Sequence, residues 1–119
     1  MEEKIVKIAV RAMDSKKARN IKVLKIEKLT SIADYFVISN GTSTTQIKAI
    51  ADEVEFKLEQ EGIKVDHREG YSGGRWILLD YGDVIIHVFH PEAREFYNLE
   101  KLWADASEVD IEQYLKDEE

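Results

Sequence analysis

The segment Trp76–His90, WILLDYGDVIIHVFH, constrains the fold more than any other part of this chain, because it contains two alternating apolar runs separated by Gly82 and Asp83. Glycine at the first central position suits a type II′ turn, whose twist matches the strands on either side. The loop therefore fixes the pairing. With Tyr81 opposite Val84, Leu79 meets Ile86 and Ile77 meets Val88, which places six apolar side chains on one side. The other side carries Trp76, Leu78, Asp80, Ile85, His87 and Phe89, a mixture of aromatics with a carboxylate and an imidazole. Such a mixture suits an interface. A covering helix, with Asp80 and His87 as satisfied polar groups, accounts for it equally well.

A chain of 119 residues fits one domain that builds its own core. With no cysteine, disulfide frameworks and thiolate zinc sites are excluded. Nothing resembles a signal peptide or a twenty-residue apolar span, so a cytoplasmic location is expected. The net charge of -7 is unevenly spread: residues 1 to 28 hold nine bases and four acids, and residues 105 to 119 hold seven acids and one base. The basic front includes Lys16, Lys17, Arg19, Lys22 and Lys25. A solvated face explains it, and a contact with nucleic acid or another polyanion is the alternative.

Along the chain, Ile5, Ile8, Ala9 and Ala12 form the stripe of a helix over residues 2 to 18. Ile21–Glu27 reads as an edge or half-covered strand. Tyr35–Ser39 is apolar on both sides, as a central strand requires. Asn40 and Gly41 break it, and Thr42, Ser43, Thr44 and Thr45 offer caps for a helix to about Glu61, with Ile47, Ile50, Ala51, Val54 and Leu58 buried. A strand Ile63–Glu69, a loop Gly70–Gly74, the hairpin and a short helix opened by Pro91 follow. The expected architecture is an α/β domain with a five-stranded mixed sheet and flanking helices over residues 1 to 105. Residues 106 to 119 form an acidic tail, with a marginal helix through Val109, Ile111, Tyr114 and Leu115.

No catalytic constellation is complete. The Gly-Thr-Ser start of the second helix resembles an anion site, but capping explains Thr42 and Ser43, and neither a P-loop lysine nor a G-x-G-x-x-G fingerprint is present. A nucleotidyltransferase-like, nucleotide-binding enzyme would need Asp80 and Asp83 to share Mg²⁺. Their register leaves them poorly organised for it, so Asp80 is expected to contact a partner and Asp83 to bond within the turn. His87 and His90 project to opposite faces, which argues against a two-histidine metal site. No cofactor, metal or catalytic residue is assigned.

Four strings occur in order: D-Y-F-V-I, G-T-S-x-x-Q, W-x-L-x-D-x-G-D-V and H-V-F-H-P-x-x-R-x-x-Y-x-L-E-x-L-W. They closely resemble the Iojap family, the ribosomal silencing factors, with Asn40 standing where a serine is expected. The resemblance implies a fold related to nucleotidyltransferases without their activity. It also implies binding to the fourteenth protein of the large ribosomal subunit, which blocks joining of the small subunit and represses translation when nutrients are scarce. The matching partner-binding positions are Trp76, Leu78, Asp80 and Tyr81, with Asp83 and His87 beside them. Trp76, Leu78 and Asp80 lie on the mixed face of the hairpin. A homodimer through the same face is a further expectation.

Overall fold

The computed structural model describes residues 1 to 116. The chain order is α1 (Glu2–Ser15), β1 (Arg19–Lys25), β2 (Tyr35–Asn40), α2 (Thr44–Gln60), β3 (His67–Glu69), β4 (Trp76–Asp80) and β5 (Val84–Phe89), then α3 (Pro91–Tyr97), α4 (Leu99–Leu102), β6 (Ser107–Val109) and α5 (Glu112–Leu115). The strands form one sheet in the order β3-β4-β5-β2-β1-β6. It is mixed: β2 runs parallel to β5, and every other pair is antiparallel.

The period-two alternation of the strands divides two cores. Val37, Ile77, Leu79, Val84, Ile86 and Val88 pack against α1 and α2, and Phe36, Ile38, Ile85, Phe89 and Leu24 face the opposite side with Ala93 and Trp103. β2 is buried at all six positions, as its apolar character on both faces requires. The hairpin keeps the predicted register, with Ile77 opposite Val88 and Leu79 opposite Ile86. Gly82 adopts a φ of 85°, which only glycine accepts without strain, and the Tyr81 amide donates to the Val84 carbonyl at 3.0 Å.

The sheet has six strands where the sequence suggested five. The sixth comes from the segment read as an acidic tail: Val109, Glu108 and Ser107 pair with Val23, Leu24 and Lys25. β1 therefore lies between two neighbours instead of at an edge. A three-residue strand carries too little alternation to be seen locally, and its polar Ser107 and Glu108 hide it further. α5 is a single turn in place of the longer marginal helix, yet its Tyr114 is buried against the α1 side. Arg11 holds this segment by donating to the backbone carbonyls of Tyr114 and Lys116. Asp117, Glu118 and Glu119, also assigned to the tail, lie outside the described residues.

The strand expected over Ile63–Glu69 is only His67–Glu69. Its first half is consumed in ending α2: Gly62 takes a φ of 79° and the Ile63 amide returns to the Leu58 carbonyl at 3.0 Å. β3 pairs with β4 and not β5, so His67 faces Asp80 across the ladder and does not adjoin the strand of His87.

Candidate functional site

The mixed face of the hairpin is covered in part and open in part. His87 lies beneath it, 3% exposed. The Trp76 indole Nε1–H donates to His87 Nδ1 at 3.0 Å, and the Phe36 ring meets the imidazole edge-on at 4.7 Å. Burial pushes the His87 pKa down to about 3, so the ring is neutral at physiological pH. Because Nδ1 accepts, the proton sits on Nε2, which has no hydrogen-bond partner among the described residues.

Above His87, Trp76 stacks on Phe89 with ring centroids 4.9 Å apart and touches Tyr97 at 4.7 Å. Trp76 and Leu78 are half-buried, each with an edge open to solvent. From them an apolar surface continues onto α3 and α4, where Phe96 is 80% exposed, Leu102 70% and Tyr97 52%. Beside it is a depression of about 270 Å³ with Trp76 and Tyr97 as aromatic walls and Gly70, Gly73 and Arg75 at its rim. Isolated exposed apolar residues are ordinary; a contiguous group marks an interaction surface. Local pattern does not mark Phe96 or Leu102 as surface groups. Their signal was adjacency: Phe96 and Tyr97 occupy neighbouring positions, and a short helix cannot bury both beside Ala93.

The α3–α4 cover is held by Arg94, only 7% exposed. Its guanidinium donates to Asn40 Oδ1 at 2.8 Å, to the Asn20 carbonyl at 2.6 Å, and to both carboxylate oxygens of Glu100 at 3.3 and 2.9 Å. That pairing lowers the pKa of Glu100. A buried cation requires such a set of acceptors. The departure at Asn40 thus has a use, since its side-chain carbonyl reaches the guanidinium. Asn98 joins α3 to α4 in a left-handed conformation and caps α4 by accepting from the Lys101 amide at 3.1 Å.

The local turn bond expected of Asp83 comes from Asp80. Asp80, half-buried, accepts from the Gly82 amide at 2.7 Å and so supplies the local turn bond. Asp83 is exposed, and its carboxylate groups with those of Glu2 and Asp34 within 4.8 Å. A hydrogen bond with Asp34, desolvation and the nearby negative charges raise the Glu2 pKa to about 7. Asp80 is not part of that carboxylate group.

Tyr81 faces the α2 side of the sheet, where its hydroxyl is buried without a hydrogen-bond partner among the described residues; burial and the charges of Glu55 and Glu59 push its pKa up. The start of α2 is closed by its own side chains. Ser43 accepts from the Gln46 amide at 3.1 Å, while Gln46 Oε1 accepts from the Thr42 amide at 2.6 Å, a reciprocal cap. Capping accounts for Thr42 and Ser43. Gly41 is required by close approach, because a Cβ there would lie 2.8 Å from Ile47 Cγ1.

None of the described helices is long and apolar enough to cross a membrane. The family described as "Ribosomal silencing factor during starvation" matches residues 1–119. A Bacillus subtilis protein named "Ribosomal silencing factor RsfS" is 45% identical over 111 residues, covering 93% of this chain and 94% of its own length. A mouse protein named "Mitochondrial assembly of ribosomal large subunit protein 1" is 33% identical over 101 residues, 82% of this chain and 44% of that protein. The crystal structure of a Chromobacterium violaceum protein superposes with a TM-score of 0.85 at 36% identity, covering 87% of each chain. These likenesses extend over the hairpin, its aromatic face and the helices around them; the chain belongs to the ribosomal silencing factor family, whose members are ribosome-associated regulators of translation and not enzymes.

Proposed function

We propose that this protein docks on the large ribosomal subunit through that subunit's fourteenth protein and, by occupying the joining surface, excludes the small subunit in the cytoplasm. The observation that carries this reading is the apolar surface from Trp76 and Leu78 to Tyr97, Phe96 and Leu102, with Arg75 and Lys101 beside it. An interface needs buried aromatic anchors at its centre, and Trp76 is already held in place by Phe89 and His87. Asp80 and Asp83 sit at the turn end of the face, where a basic partner finds carboxylates. His87 and Tyr81 act from behind, His87 by fixing the indole and Tyr81 by packing the hairpin onto α2. The mouse relative's name refers to the large subunit, which supports the same choice of partner.

The mechanism is steric and needs no turnover. Competition with subunit joining at cellular concentrations requires submicromolar affinity, about -8 kcal/mol or better. We retain kinship of the scaffold with nucleotidyltransferases as part of this proposal, without their chemistry. The groups that nucleotide binding would need are engaged: Thr42 and Ser43 in the cap, Asp80 in the turn.

The test adds the protein to separated subunits and follows them by sedimentation. It should remain with the large subunit and block association, while Asp80→Lys or Trp76→Ala weakens binding by about 2 kcal/mol or more. Unchanged cosedimentation of folded variants would exclude this face. Light scattering with and without the purified ribosomal protein distinguishes docking from self-association of a homodimer on the same surface.

A further inference from the structure

The charges of this molecule are separated along the strands. At one end Glu2, Asp34 and Asp83 gather. At the other, the α1–β1 turn is tied to the start of α2: Gln46 Nε2 donates to the carbonyls of Lys16 and Lys17 at 3.1 and 3.2 Å. Arg19 pairs with Asn40 at the same end of the sheet, the Gly41 amide donates to the Phe89 carbonyl, and the His90 amide donates to the Arg75 carbonyl. Lys16, Lys17, Arg19 and Arg75 are therefore collected around the β2–α2 junction, and all four are exposed. Among the described residues, Lys16, Lys17 and Arg19 make no ion pair, and Arg75 has a loose one with Glu92 at 3.9 Å. The first turn of α2 carries no acid, and Thr44 and Thr45 are exposed beside the cations, while the Thr42 and Ser43 hydroxyls serve the cap.

We infer that this end of the sheet binds the phosphate backbone of structured RNA, through Lys16, Lys17, Arg19 and Arg75 with Thr44 and Thr45 beside them. Spaced cations interleaved with hydroxyl donors are the chemistry of backbone contact, which positions a protein without reading bases. The net charge of -7 does not oppose it. The molecule measures 32 × 31 × 26 Å, whereas charges are screened over about 8 Å at physiological ionic strength. A phosphate at the basic end is thus shielded from the acids at the other. For its setting the inference rests on the ribosome-docking reading, since a second contact to ribosomal RNA would orient the protein on the subunit. The RNA contact adjoins the aromatic face at Arg75, while Lys16, Lys17 and Arg19 lie apart from it.

The experiment measures fluorescence anisotropy of a labelled RNA hairpin with the full chain, without ribosomes, from about 50 to 200 mM salt. Binding should be measurable at the lower salt and fall with a log–log slope of about -2 to -4, as expected for three or four neutralised phosphates. The triple substitution Lys16→Ala, Lys17→Ala, Arg19→Ala should weaken binding at least tenfold and flatten the slope, with its melting temperature unchanged because all three side chains are exposed. Phe96→Asp should leave RNA binding intact. Absence of binding at low salt, or a triple variant that binds like the parent, overturns the inference. Loss of RNA binding with retained cosedimentation on large subunits separates the basic end from the docking face, whereas failed cosedimentation with intact RNA binding sinks the docking reading alone.

Discussion

Trp76 donates its indole N–H to Nδ1 of His87 at 3.0 Å, and this bond joins a half-buried aromatic of the hairpin face to that face's most buried polar group. The imidazole is held neutral, its proton is confined to Nε2, and the indole is fixed in the orientation that leaves one edge open.

The buried imidazole makes stability sensitive to acid. The native His87 pKa of about 3 lies below the unfolded value of 6.5, so the unfolded chain binds a proton that the native state refuses. Stability contributed by this group is intact above pH 6.5 and is lost as pH falls towards 3, at no more than about 1.4 kcal/mol per pH unit. Urea denaturation from pH 7 to 4 should show His87→Gln with a shallower decline than the parent. Parallel curves would mean that the native imidazole takes up its proton as readily as the unfolded chain.

Arg94 requires its acceptors. Asn40→Val keeps the strand but removes the side-chain oxygen that receives the guanidinium at 2.8 Å. The cost should be about 2 kcal/mol, the usual loss when a buried charged donor is left short of a partner, read as a lower urea midpoint. Arg94→Ala should cost more, about 3 to 5 kcal/mol, because it leaves Asn40 Oδ1 and the Asn20 carbonyl without their donor and unpins α3 from the sheet.

The acidic end gives a pH response in the neutral range. A Glu2 pKa raised from 4.5 to about 7 means that the native state holds a proton the unfolded chain has released. The associated stability is present below pH 4.5 and lost as pH rises through 7. Glu2→Gln should therefore show a smaller drop in melting temperature between pH 5 and pH 8 than the parent. Equal drops in the two proteins would show that the three carboxylates do not interact.

The exposed apolar groups separate binding from folding. Phe96→Asp with Leu102→Asp alters side chains that are 80% and 70% exposed. Stability should stay within about 0.5 kcal/mol of the parent. Binding to isolated large subunits should weaken by more than tenfold, about 1.4 kcal/mol, measured by cosedimentation. A double variant that still cosediments fully would confine the interface to the hairpin.

Tyr114 anchors the last part of the fold, although it lies in a run of acids. It is 7% exposed, and Tyr114→Ala should cost about 3 kcal/mol in denaturant unfolding, as for other large aromatics removed from a core. A variant as stable as the parent would mean that β6 and α5 only rest on the domain.

The hairpin was legible because its information is local. Alternation over Trp76–Asp80 and Val84–Phe89, with glycine at the turn, fixes which residues face each other, and the structure keeps that pairing residue for residue. The same holds for β2, whose uninterrupted apolar run permits no place but the middle of a sheet, and for the α2 cap, where Ser43 and Gln46 are three residues apart. Asp80 and Asp83 were harder, because a carboxylate beside a turn can reach either the loop amide or a distant chain segment. The loop's detailed path gave the amide to Asp80, and the approach of α1 brought Glu2 to Asp83.

Sequence by itself determined the register of the hairpin, the two-sided burial of β2 and the division of each strand between two faces, since side chains alternate wherever the backbone is extended. Tertiary structure decided what covered those faces. Three-residue β6 exists because β1 offers it an unpaired edge, Arg94 is buried because Asn40, Asn20 and Glu100 meet around it from separate segments, and α3 and α4 bring Ala93 and Leu99 onto the second core while leaving Phe96 and Leu102 in water. Periodicity records which way a side chain points from its own strand or helix; whether it meets protein or solvent depends on segments far along the chain, which local pattern does not encode.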